Sequence, residues 1–262
     1  MTRPSLFLAA LVALLLNASV QAEIRSVAVS YEYEDIPLTG YLYWDDAHQE
    51  KRPGVLVIHE WWGLNDYAKK RARMLAELGY VAFAADMYGN GQVTDKPDQA
   101  REWMQEVTVD VEGWRERALE GLKQLNASGL VSEGQVAAIG YCFGGATVLQ
   151  MAYANAPVQG VVSFHGALPA APEDSRGNIG PGILVLHGQA DSFVAPEVVT
   201  NFRNKLDEAG ADWEMNTYGG ARHGFTNPDA ASFGIENLRY DAKADRRSWS
   251  RMQAFFDELF EG

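Results

Sequence analysis

Six short apolar runs, Val55–Ile58, Tyr80–Ala85, Val136–Gly140, Val158–Phe164, Ile183–His187 and Trp213–Tyr218, recur along the chain. Runs of this kind form strands buried on both faces of a parallel sheet, where neither face can be polar. Amphipathic helical patterns fall between or beside them, at Tyr67–Leu78, Lys96–Val107, Val111–Leu125, Ala146–Ala154, Pro196–Ala209 and, last, about Lys243–Phe260. Such alternation predicts a doubly wound, mostly parallel α/β sheet. Val27–Tyr33 and Gly40–Trp44 instead alternate apolar and polar residues around Asp35-Ile36-Pro37, which reads as an antiparallel pair at the N-terminal edge. With no internal repeat and no long linker, residues 23–262 read as one domain. The Gly/Pro-rich stretches Leu168–Pro181 and Gly219–Gly234 read as loops.

The first residues stand apart from this pattern. Arg3 precedes an apolar stretch from Leu6 to Leu16, and Ser19-Val20-Gln21-Ala22 supplies a peptidase-like cleavage site, so residues 1–22 read as a signal peptide. The stretch is too short to span a bilayer. The expectation is a secreted or periplasmic protein with no membrane insertion once the signal is cut. A net charge of −13 disfavours polyanionic partners, so no nucleic-acid partner is expected, and a monomer or small homo-oligomer acting on a small molecule is.

In open α/β sheets ligands bind beyond the carboxyl ends of the strands, so the residues that directly follow each run carry the argument. Gly140-Tyr141-Cys142-Phe143-Gly144-Gly145 holds the only cysteine, between a strand run and a small-residue helix start. This is the strand–turn–helix pattern that lifts a nucleophile above a sheet, with Cys in place of Ser. The helix dipole beneath the sulfur favours thiolate. A free cysteine is otherwise a small buried hydrophobe, but the flanking glycines favour the turn. The segment lacks the Lys of a phosphate-binding loop and the spacing of a dinucleotide fingerprint.

A thiol nucleophile needs a base and an orienting acid. Asp191 follows the Ile183–Gly188 stretch, and of the five histidines only His223 comes after it. Glu173 or Asp174 is the competing acid, and Asp191 could instead cap the helix that starts near Pro196. Glu60 stands in His59-Glu60-Trp61-Trp62-Gly63, the loop expected to give one oxyanion-hole amide. The backbone N–H groups of Trp61 and Phe143 are the expected pair. The zinc signature H-E-x-x-H fails because Gly63 stands in place of the second histidine, so no metal and no cofactor is expected. Trp62, Tyr88 and Arg222 are candidate substrate contacts.

Together these residues resemble the dienelactone hydrolase family of the α/β-hydrolase superfamily: the Cys142 turn, Asp191, His223-Gly224-Phe225, and Glu60 followed by Trp62-Gly63-Leu64-Asn65. The resemblance spans about Val27–Leu259. It implies the α/β-hydrolase fold and a Cys142–His223–Asp191 triad. It also implies a Glu60 that contacts the resting thiol and gates it. The implied chemistry is hydrolysis of a small carboxylic ester or lactone through a thioester. The family's two substrate-binding arginines are absent: Gly89-Asn90-Gly91 and Asn227 stand in their places. A cysteine peptidase or acyltransferase, or a non-catalytic binding protein on the same fold, are the alternatives.

Overall fold

In a computed structural model, which describes residues 23–260, eight strands form one sheet in the order β1-β2-β4-β3-β5-β6-β7-β8. The expected signal peptide lies outside the described residues. β1 (Ile24–Tyr33) and β2 (Ile36–Asp45) make the antiparallel edge pair, and β2 joins β4 (Val81–Ala85) antiparallel. From β4 through β3 (Arg52–Ile58), β5 (Val131–Tyr141), β6 (Gly160–Phe164), β7 (Gly182–Gly188) and β8 (Trp213–Tyr218), every pairing is parallel.

The apolar runs are continuous because both faces of the sheet are covered. Val55 and Val57 of β3 pack into one core with α1 (Asp66–Glu77) and α6 (Ala242–Phe260). Leu56 and Ile58 point to the opposite core, under α3 (Val111–Ala127), α4 (Phe143–Tyr153) and α5 (Pro196–Ala209). The period of two thus splits an all-apolar run between two cores. Helix starts follow local chemistry: Asn65 Oδ1 accepts from Ala68 N (3.3 Å), Asp110 Oδ1 accepts from Glu112 N (3.1 Å), and prolines open α2 (Pro97–Thr108) and α5.

Two elements differ from the expectation. α4 begins at Phe143 rather than Ala146, directly after Cys142. Glycine disfavours helix interiors, yet a Cβ on Gly144 would meet the Ile58 carbonyl at 2.3 Å, so close packing on β3 overrides propensity. β5 begins at Val131, earlier than Val136, and its polar Ser132–Gln135 lead passes a register shift opposite Arg52 and Gly54. The loops after β6 and β8 each hold one short 3-10 turn, Glu173–Ser175 and Ala230–Phe233.

Candidate active site

Cys142 sits between β5 and α4 with φ 54° and ψ −111°, a left-handed conformation that costs a non-glycine residue of order 1–3 kcal/mol. Its neighbours hold it there. Cys142 N donates to Phe164 O on β6 (3.0 Å), and Gly144 N donates to His59 O just beyond β3 (3.1 Å). A Cβ on Gly140 would strike Gly144 O at 2.0 Å, so only glycine lets the helix fold back under the strand. The half-buried Cys142 opens onto a cavity of about 800 Å³.

β7 and β8 deliver the other two residues to the same end of the sheet. His223 Nδ1 lies 2.7 Å from Asp191 Oδ2, with both side chains buried. Cys142 and His223 line the same cavity, and the sulfur acts on the imidazole electrostatically. Burial opposes a charge on His223, but the Cys142 sulfur and Asp191 outweigh it and hold the imidazolium up to about 10. Burial likewise opposes the Asp191 carboxylate. Hydrogen bonds from His223, Asn237 and the Phe193 N–H overcome that and bring it down to about 2. Asp191 is no helix cap, since Ala195 precedes α5. Glu173 and Asp174 lie exposed in their 3-10 turn.

The chain after β3 supplies the opposite wall. Phe143 N is the first amide of α4 and has no intrahelical acceptor; Phe143 and Trp61 both line the cavity beside Cys142. The Trp61 peptide is held from outside by Tyr88, whose hydroxyl donates to Trp61 O (3.0 Å). His59 Nε2 accepts from Met87 N (3.2 Å), leaving Nδ1–H to donate to Glu60 O.

Four sequence expectations need correction. Glu60 is buried, and its Oε2 accepts from Asn227 Nδ2 (2.7 Å) rather than binding the thiol. An amide N–H offers a carboxylate a stronger hydrogen bond than a thiol does. Asn227 therefore clamps Glu60 from a position where the resemblance led to an arginine. Burial pushes Glu60 up to about 7, against the pull of Asn227, His223 and Arg71. Trp62 does not reach the cavity; it is buried and stacked on Phe233 at 3.9 Å. Tyr88 acts on the Trp61 backbone and packs on Phe143 (5.6 Å between centroids). Arg222 is tied to the Glu236 carbonyl (2.8 Å) and carboxylate (3.8 Å) and is not in the cavity wall.

Asn237 was not legible as a site residue. Its Nδ2 donates to Asp191 Oδ1 (2.9 Å) and its Oδ1 accepts from Ser192 N (3.2 Å), across 46 residues of chain. No local pattern marks it. Among the described residues no group of three or more His, Cys, Asp or Glu is placed to hold a metal ion, and no helix is long and apolar enough to cross a membrane.

An eight-stranded, mostly parallel sheet with a cysteine at the turn after its fifth strand and an acid-bound histidine lining the same cavity belongs to the α/β-hydrolase class. The chain is a member of the dienelactone hydrolase family, whose profile matches residues 38–260. It is accordingly an enzyme of the carboxylic ester or lactone hydrolase type. It is similar to the crystal structure of a dienelactone hydrolase-like promiscuous phosphotriesterase from metagenomic libraries. That match is 40% identical, covers 90% of this chain and 98% of the other, and has a TM-score of 0.87. The structure named m3DLH matches at 37% identity over 90% of this chain and 99% of its own, with a TM-score of 0.87. Protein usf of Aquifex pyrophilus is 29% identical over 88% of this chain and 97% of its length.

Proposed function

We propose that the enzyme hydrolyses carboxylic esters or lactones with Cys142 as nucleophile, His223 as base and then acid, and Asp191 as the group that orients it. The observation that carries this reading is His223 bound through Nδ1 to Asp191 at 2.7 Å in the wall of the cavity that it shares with Cys142 at the strained turn. With the thiol proton held on His223, the Cys142 thiolate adds to the carbonyl carbon, and the negative oxygen lies against the Trp61 and Phe143 amides. As the C–O bond breaks, the alcohol leaves with the proton from His223. Water, activated by the same imidazole, then cleaves the thioester and restores the thiol. Each oxyanion donor of this kind contributes about 2.7–4 kcal/mol to such a barrier.

The test is acyl trapping. A burst of nitrophenol from a p-nitrophenyl ester, with one acyl group found by mass spectrometry on the peptide containing Cys142, is expected. Cys142→Ala should keep the fold and lose turnover by at least roughly 10⁴-fold; esterase activity retained in that variant would end the reading.

A second reading rests on the 40% identical phosphotriesterase relative. The same thiolate would attack a neutral phosphotriester at phosphorus, expelling a nitrophenol. Paraoxon hydrolysis that disappears in Cys142→Ala tests it. We further propose that residues 1–22 are removed on export, which the intact mass of the protein recovered from the periplasm or medium would decide.

A further inference from the structure

The cavity over Cys142 is walled by apolar side chains, among them Met104, Trp114, Leu168, Phe193 and Leu238. Among the described residues only two cationic side chains line it, Arg101 and His223. His223 is committed to Asp191 through Nδ1. Arg101 is half exposed, and its Nη1 pairs with the exposed Asp98 Oδ1 at 3.1 Å, so this cation stands where the cavity meets solvent. An anionic substrate that carried its carboxylate past Arg101 against the apolar wall would bury it without a partner, at a cost of several kcal/mol.

The bonds made at the carbonyl carbon also divide the space. The oxyanion must lie toward the Trp61 and Phe143 amides, and the leaving oxygen toward His223. The neighbours of His223 on that side are Phe193, 5.1 Å away between ring centroids, and Leu238, paired with His223 in a parallel bridge. On the Phe143 side, Trp114 stacks on Phe143 at 5.8 Å and Met104 completes the wall.

Resting on the Cys142 mechanism, we infer that the substrates are neutral esters with an apolar group on each side of the scissile bond. The acyl group lies against Met104 and Trp114, and the alcohol group against Phe193 and Leu238. The enzyme therefore selects against charged acids of the kind that paired arginines would hold.

The experiment compares p-nitrophenyl heptanoate with mono-p-nitrophenyl adipate, which match in acyl length and leaving group and differ in a terminal carboxylate. The expected kcat/KM for the neutral ester is higher by at least about 100-fold. Values within about fivefold, or a preference for the anion, overturn the substrate class. If neither ester is turned over, or if Cys142→Ala still turns them over, the underlying mechanism fails instead, and this inference with it. Two variants test the subsites. Met104→Trp should lower the heptanoate-to-acetate ratio of kcat/KM by about tenfold or more while moving the phenyl-to-methyl ester ratio far less. Phe193→Ala, at a position 54% exposed and safe for folding, should do the reverse. Variants that shift both ratios alike, or neither, overturn the assignment of the two sides.

Discussion

Arg71 Nη2 on α1 donates to the carbonyl of Thr226 at 2.5 Å, within the loop that carries both His223 and Asn227. The same nitrogen meets Asp245 Oδ1 on α6 at 2.6 Å. Arg71 Nε donates to Tyr67 Oη (3.3 Å), the Tyr67 and Thr226 hydroxyls share a hydrogen bond (2.6 Å), and Thr226 Oγ1 shares another with His165 Nε2 (2.7 Å). A buried cation thus ties the histidine loop to both helices on one face of the sheet. Arg71→Met strands Asp245 and two acceptors, and is expected to cost about 3–5 kcal/mol in urea unfolding. Thr226→Val, which keeps the backbone contact, should cost only about 1–3 kcal/mol. Equal losses from the two variants would show that the charge is not what holds the loop.

Glu60 gives the protein a pH dependence with a definite sign. Its carboxyl moves from 4.5 to about 7 on folding, through burial. Between those values the folded chain holds a proton that the unfolded chain has released, so stability falls as pH rises through this window. The loss is about 3 kcal/mol once pH exceeds 7. Glu60→Gln keeps an acceptor for Asn227 and removes the titration. Its stability relative to the parent should therefore improve by about 3 kcal/mol between pH 4.5 and 8, read from urea midpoints. A constant difference across that range would rule the buried titration out.

Asp191 and Asn237 should separate in kinetics. Asp191→Asn leaves the shape but offers His223 the wrong tautomer, with an expected loss in kcat of about 10⁴-fold. Asn237→Leu removes one charge-assisted hydrogen bond, of about 1.5–3 kcal/mol, so a loss of roughly 10–100-fold in kcat/KM is expected. An Asn237 variant as active as the parent would make that bond purely structural.

The turn itself can be tested through its glycines. Gly144→Ala drives a Cβ to 2.3 Å from the Ile58 carbonyl, a backbone atom that cannot yield, whereas Gly219→Ala meets nothing within 4 Å. The first should cost more than about 3 kcal/mol or prevent soluble expression, and the second should stay within about 0.5 kcal/mol in thermal melts.

The order of strands and helices, the N-terminal edge pair and the place of Cys142 were legible because they depend on local chemistry. Apolar runs must be covered, prolines open helices, and glycines permit the turn between β5 and α4. His223 and Asp191 were readable because strand ends converge at one edge of such a sheet. Side-chain pairing was not readable. Asn237 reaches Asp191 across 46 residues, Asn227 binds Glu60 across 167, and Trp62 turns into a stack with Phe233. Each of these depends on which loops the folded sheet brings within 3 to 4 Å, a distance that no spacing along the chain encodes. Local chemistry along the chain set the architecture and the residue types available for catalysis; the folded arrangement of the loops chose the hydrogen-bond partner of each buried polar group, because burial forces that choice only once the loops have met.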